Sequence, residues 1–378
     1  MSDRQKIILL VQGGCGDVIA ATPMIRSARK THPEDEIIVL CTYERVLRHN
    51  PNIDKLISLG DQDAVGDFFS REVKDKRVRY FKKFFPYDHI MNDAAHGAKN
   101  LPHFIARLYG FEENFDNGTP DYYVTDYEKR AADTLLGQDK KPVVLLHIQG
   151  AVPSDGDVQT KPCGKCGGRG VANNPGPCNQ CGGSGMIKVY QKTNVLKDLD
   201  PKIVSPLVMK YKDKYNFLQI GLEYETRIEG AFDCLGMPLR DTIALFQHPL
   251  VKTAIVIESL FMHAAAALEK PVITVFQNTD PDFFGYPIHK NISDSGGCVD
   301  YPCNRPVGAL LDLHAGYKNP KQTKSRGLWE CRDQKCARMK PEMLEKAFLE
   351  MVEEKKSDRH DTLEEARNAK PKGAKHEF

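Results

Sequence analysis

Short, largely apolar runs separated by helix-length stretches recur along this chain. Ile7 to Val11 is followed by a helix over 17–31, broken at Thr31-His32-Pro33, and then by a second strand, Glu36 to Cys41. The same alternation returns at Val143 to Ile148, Phe217 to Ile220, 254–257 and Val272 to Phe276, with helical stretches at 201–213, 239–247 and 259–268. Strands without polar alternation are covered on both faces, so the pattern predicts an α/β chain with parallel, helix-covered sheets. Lys55 to Leu59 and Asp88 to Met91 are shorter strand candidates, and 100–110 and 126–137 are helical by period. Residues 61–87, charged and aromatic, carry no clear assignment. A chain of 378 residues is long for one core, which predicts two domains, 1–138 and 139–340. Residues 341–355 read as a last amphipathic helix, and 356–378 as a charged, solvated or disordered tail.

Between Gly150 and Met186 the composition changes to Gly, Pro, Asn and Cys, with almost no large apolar side chain. Such a stretch cannot build a hydrophobic core, and because the α/β pattern resumes after it, 151–188 reads as an inserted module. It holds two Cys-x-x-Cys knuckles, Cys163 with Cys166 and Cys178 with Cys181, each followed by glycines. Four thiolates at this spacing suit a tetrahedral zinc with no open position, hence a structural role; a redox dithiol pair or a disulfide-linked hairpin is the alternative. The repeat resembles the cysteine-rich zinc module of DnaJ-type chaperones, with two knuckles in place of four. That implies zinc binding and contact with a macromolecular partner. Cys298, Cys303, Cys331 and Cys336 form a second, x4-spaced set that reads as buried thiols or a second metal site, while Cys15, Cys41 and Cys234 read as packed.

Eight of the eleven cysteines lie in these paired spacings, which favours metal ligation in a reducing compartment and a cytoplasmic protein. Lys and Arg number 53 against 51 Asp and Glu, so no general basic field invites nucleic acid or a membrane surface. Met1 to Lys6 leads directly into the first strand, with neither a signal peptide nor a membrane span.

Two stretches carry candidate chemistry. Gly13-Gly14-Cys15-Gly16-Asp17 turns from a strand into a helix, where backbone N–H groups can approach an anion or sugar; alternatively the glycines only make a tight turn, with Asp17 as a first-turn acid. Glu258 to Phe276 reads strand, tight turn, small-residue helix, strand, and places Glu258, Ser259 and His263 at a ligand crevice. His263 can equally be a satisfied core histidine. A nicotinamide site is disfavoured: Gly-x-Gly-x-x-Gly is absent, and the second strand ends at Cys41-Thr42 without a ribose-binding acid.

These stretches together resemble glycosyltransferase family 9, the heptosyltransferase-like enzymes. The resemblance rests on Gly16-Asp17-x4-Thr22-Pro23, on Glu258-Ser259-x3-His263-x-Ala-Ala-Ala-Leu-x-x-Pro, and on Thr279-Asp280-Pro281. Phe217 to Gly221 with Glu223 and Glu225, and Arg240-Asp241-Thr242, also fit. It implies a GT-B architecture, two Rossmann-like domains facing across a cleft, interrupted here by the zinc-binding insertion. It further implies an inverting glycosyltransferase that moves a sugar such as heptose from a nucleotide-sugar donor to a saccharide or other hydroxyl acceptor, without a catalytic metal. Asp17 matches the general base. Gly14, Gly16 and Thr22 fall in the acceptor-side loop, and Lys192, Glu223, Glu225, Glu258, Ser259 and His263 on the donor side. Leu260 stands where the family carries Gly, and Glu258 where it carries Asp. The competing reading is a non-catalytic GT-B scaffold that binds a protein or nucleic acid through its cleft and zinc module.

Overall fold

A computed structural model describes residues 4–72, 78–81, 98–137, 140–150, 158–162, 186–190, 197–277, 279–297 and 339–353. The first sheet has four strands, β1 (Lys6–Val11), β2 (Glu36–Cys41), β3 (Lys55–Ser58) and β4 (Val78–Phe81), in the order β3-β2-β1-β4. Every pair is parallel. The helices of this half are α1 (Cys15–Ala20), α2 (Thr22–Thr31), α3 (Gln62–Glu72) and α4 (Leu101–Tyr109), and α5 (Asp126–Leu136) leads to the second half.

The second half opens with β5 (Val143–His147), passes through a separate antiparallel pair, β6 (Val158–Pro162) and β7 (Met186–Tyr190), and continues with α6 (Pro201–Tyr211). Then come β8 (Asn216–Gly221), β9 (Phe232–Leu235), α7 (Leu239–Ala244), β10 (Val251–Ile257), α8 (Leu260–Ala267), β11 (Ile273–Phe276), α9 (Pro281–Phe284), β12 (Lys290–Ser293) and α10 (Pro341–Glu353). The large sheet is parallel throughout, in the order β12-β11-β10-β5-β8-β9. From β5 the chain builds outward on one side and then returns to build on the other. Between β5 and β10 the strand order therefore reverses, the topological point at which parallel α/β sheets place a ligand crevice beyond the carboxyl ends of their strands. Among the described residues no helix is long and apolar enough to cross a membrane.

The helix expected over 17–31 is two helices meeting at Ala21. Pro23 has no N–H to give the carbonyl of Ile19, and that oxygen accepts the Thr22 hydroxyl at 2.8 Å instead. The unassigned stretch 61–87 contains α3 and β4, and the edge strands β9 and β12 lack the apolar runs that mark the interior strands. The strand candidate Asp88 to Met91, the tail 356–378 and all eight paired cysteines lie outside the described residues.

One buried cluster joins the halves. It runs from Ile7, Leu9, Ile37 and Val39 through Val18, Ile19 and Met24 to Phe261, Ala264 and Ala265 of α8. Polar contacts reinforce it. Arg240, at the start of α7, grips the Glu128 carboxylate of α5 with two nitrogens and donates to the carbonyls of Arg45 (2.8 Å) and Tyr123 (2.6 Å). Its guanidinium also lies 5.0 Å from the Tyr122 ring centre. Burial alone would raise the Glu128 pKa, but hydrogen bonds from Arg240 and Thr125 hold this carboxyl below the usual range.

Candidate active site

The two halves come closest where α1 meets α8. A Cβ placed on Gly16 would lie 2.9 Å from His263 Cδ2 and 3.3 Å from Leu260 N, so only glycine lets the helices approach this closely. Asp17 follows at once. Its Oδ2 accepts the Gly14 N–H at 2.8 Å, which closes the turn from β1 into α1. Gly13 makes this turn possible, with φ at 131° and its missing Cβ where the Asp17 carboxylate sits. The surrounding protein pushes the Asp17 carboxyl up to about 6; the Gly14 N–H and Lys197 pull against burial, and the Glu258 charge adds to it. Asp17 is thus a turn-closing acid and, near neutral pH, a titratable one.

Across from it, on the crest of the second sheet, Lys197 pairs with Glu258, the residue after β10. Both are largely buried. Three bonds clamp the segment that carries Lys197: Leu199 N donates to Ile148 O at 2.8 Å, Gly150 N to Asp198 Oδ1 at 2.9 Å, and Gln277 Nε2 to Asp198 O at 2.6 Å. The cation is therefore held by the ends of β5 and β11. Sequence reading missed Lys197, because a lone lysine at the far side of a Cys-rich insertion carries no local signal.

Ser259 caps α8, and its Oγ lies 3.1 Å from His147 Nδ1 at the end of β5. His147 Nε2 faces Glu225 Oε1 at 3.8 Å. Glu225 is buried, accepts the Leu222 N–H at 2.8 Å and presses against Gly221. Glu223 is exposed on the same loop, against the Gly236 turn after β9.

His263 lies beneath this surface, with Nδ1 2.7 Å from the Tyr286 hydroxyl. Burial pushes its pKa down to about 3, helped by Lys197 and His289, so the ring is neutral. His289 beside it is likewise lowered, to about 4, by burial. Thr22 is fully buried, and its hydroxyl accepts the Asp121 N–H at 2.7 Å; it braces the 119–125 segment and does not reach the crevice. Gly14, Gly16, Asp17, Glu258, Ser259 and His263 are brought to one place. Lys192 lies outside the described residues, as do Cys163, Cys166, Cys178 and Cys181.

Residues 236–307 match the profile of glycosyltransferase family 9 (heptosyltransferase). That segment runs from the turn before α7 through Glu258, Ser259 and His263 to beyond β12. Among solved structures, the chain is similar to a family 9 glycosyl transferase from Veillonella parvula DSM 2008, at 14% identity over 93% of this chain and 98% of that one, with a TM-score of 0.58. It is also similar to TibC, a dodecameric iron-containing heptosyltransferase from enterotoxigenic E. coli solved with ADP-D-beta-D-heptose, at 16% identity over 97% of this chain and 79% of that one, with a TM-score of 0.54. A sequence search among curated proteins found no match. At these identities the structural likeness concerns the fold, which is α/β with parallel sheets and similar to that of GT-B heptosyltransferases. The matched segment and the fold together support a glycosyltransferase.

Proposed function

We propose that the chain is an inverting glycosyltransferase that takes a sugar from a nucleoside-diphosphate donor, heptose being the first candidate because a structural neighbour holds ADP-D-beta-D-heptose. The observation that carries this reading is one electrostatic neighbourhood spanning both halves: Asp17, raised to about 6, feels both members of the Lys197–Glu258 pair. Asp17 takes the proton of the acceptor hydroxyl as its oxygen bonds to the anomeric carbon. The bond from that carbon to the phosphate oxygen breaks, and the diphosphate leaves with the electron pair. Lys197 offsets the charge that develops there, and Ser259 donates to a phosphate oxygen. Glu258 orients Lys197 and faces the donor sugar, while exposed Glu223 is the better placed of the two loop acids for the ribose. The test is transfer from a panel of nucleotide sugars. Asp17→Asn should lower kcat by roughly 10²–10⁴-fold; unchanged activity removes Asp17 as the base.

We also propose a tetrathiolate metal in the insertion, held by Cys163, Cys166, Cys178 and Cys181, with zinc in a structural role. The support is the β6–β7 stem. Pro162 pairs with Met186, so the two residues that flank 163–185 lie side by side, and the two knuckles are close together in the sequence between them. A neighbour of this fold is iron-containing, and thiolates suit iron as well as zinc. Elemental analysis distinguishes them: one zinc per chain, lost in Cys163→Ser/Cys178→Ser, is the expected result.

A further inference from the structure

His147, Ser259 and Glu225 stand at the ends of three neighbouring strands, β5, β10 and β8. His147 and Glu225 are 5% and 3% exposed, and the Phe261 ring packs edge-on against the imidazole at 4.7 Å between centroids. One ring nitrogen faces a hydroxyl and the other a carboxylate.

A serine hydroxyl has a single proton, so what Ser259 offers the crevice depends on what His147 takes or gives. A neutral ring next to Glu225 keeps its proton on Nε2. Nδ1 then presents a lone pair that draws the Ser259 proton inward, and the serine shows the crevice only lone pairs, which repel an anion. The other neutral tautomer would turn an Nε2 lone pair toward the Glu225 carboxylate, an unfavourable arrangement. When both nitrogens are protonated, Nδ1–H donates to Ser259 Oγ and the serine proton is free to point outward.

We propose that His147 is a positioning residue that takes up a proton when a diphosphate enters the crevice, converting Ser259 from hydrogen-bond acceptor to donor. This rests on the reading above that puts the diphosphate at Ser259. Glu225 is then the counter-charge of the imidazolium. Among the described residues the other groups around the ring include the Ser259 hydroxyl and the Phe261 ring on the α8 side, with the mutually compensating Lys197–Glu258 pair at the residue before Ser259. Donor binding and the base thus titrate in opposite senses: His147 must gain a proton to bind donor, and Asp17 must lose one to react.

The test is calorimetric binding of ADP, GDP, UDP and CDP to the full chain across pH, in two buffers of different ionisation enthalpy. Wild type should take up more protons on binding than H147N, by up to one per site. The Asn side-chain N–H can replace Nδ1–H as donor to Ser259, and H147L removes the ring nitrogen that draws the serine proton inward, so both variants should keep the affinity within roughly threefold and lose its dependence on the protonation of residue 147. In a Ser259→Ala background neither His147 substitution should change the affinity further, and S259A alone, checked for its fold by circular dichroism, should show the low proton uptake of H147N. Equal proton uptake in wild type, H147N and S259A overturns the proposal, as does an H147L variant whose affinity keeps the wild-type pH dependence. Absence of any diphosphate binding to the folded wild type overturns both it and the glycosyltransferase reading.

Discussion

Gly16→Ala sets two opposing effects against each other at the meeting point of the halves. Gly16 lies within α1, so helix propensity alone predicts a gain of about 0.5–1 kcal/mol from alanine. The new Cβ, however, would meet His263 Cδ2 at 2.9 Å, Leu260 N at 3.3 Å and His263 Nε2 at 3.4 Å. Neither neighbour can yield. Leu260 N is backbone, and the His263 ring is buried and tied to Tyr286 at 2.7 Å. The helices must therefore part by some tenths of an ångström, at an overpacking cost of about 1–3 kcal/mol. The cost exceeds the gain, leaving a net loss of about 1 kcal/mol, or about 2 °C in Tm for a chain of this size. Activity should respond far more strongly. Asp17 rides on α1 beside the altered residue, and about 1 Å of misplacement of a reacting group can cost roughly 10²-fold in rate. Thermal unfolding and transfer kinetics together decide the matter: a small fall in Tm with kcat reduced about tenfold or more is expected. A raised Tm with unchanged kcat would mean that α1 and α8 are not in contact at Gly16.

Arg240→Ala should destabilise by about 3 kcal/mol in denaturant unfolding, because it leaves the buried Glu128 carboxylate without its cation; Arg240→Lys should restore only part, since an ammonium cannot make the two-pronged contact. His263 and His289 should make the protein acid-sensitive. Their pKa values are lowered on folding, to about 3 and about 4, so the unfolded chain binds their protons first, and stability falls as pH drops below the usual value near 6.5. Each should remove up to about 2 kcal/mol by roughly pH 5, and His289→Gln should flatten that slope in urea titrations at stepped pH. Asp17 has the opposite signature. Its pKa is raised on folding, so its contribution to stability is full below about 4 and lost as pH rises through about 6. The same ionisation should give kcat/KM an ascending acid limb near pH 6 that Asp17→Asn abolishes.

The alternation of apolar runs and helical stretches reported the architecture well, because the interior parallel strands are buried on both faces and their composition says so. Edge elements are different. β9 and β12 are half exposed and four residues long, and nothing in their residues distinguishes them from loop. The candidate site was legible where its parts are contiguous, as in Gly13 to Asp17 and Glu258 to His263. It was not legible where strand order creates it: His147 and Ser259 meet only because the chain returns to place β10 beside β5, a fact about topology that no local pattern carries. Thr22 shows the converse, for a residue within a motif proved to be a buried brace.

The departure at Leu260 has a physical resolution in the same contact. A small residue after the acid–serine pair would leave a bare turn open to a phosphate. Here the Leu260 side chain packs against the central cluster, and its backbone nitrogen faces Gly16, so glycine supplies the close approach from the opposite helix. The backbone nitrogen at the first position of α8 thereby lies close against α1. On the proposed reading, recognition of an anion at this point falls to side chains, to the Lys197 ammonium and the Ser259 hydroxyl, and beside the His147 ring that hydroxyl is free to point its proton outward only when the ring nitrogen behind it is itself protonated. That requirement is what gives the buried His147, with Glu225 at its back, a reason to sit beneath Ser259.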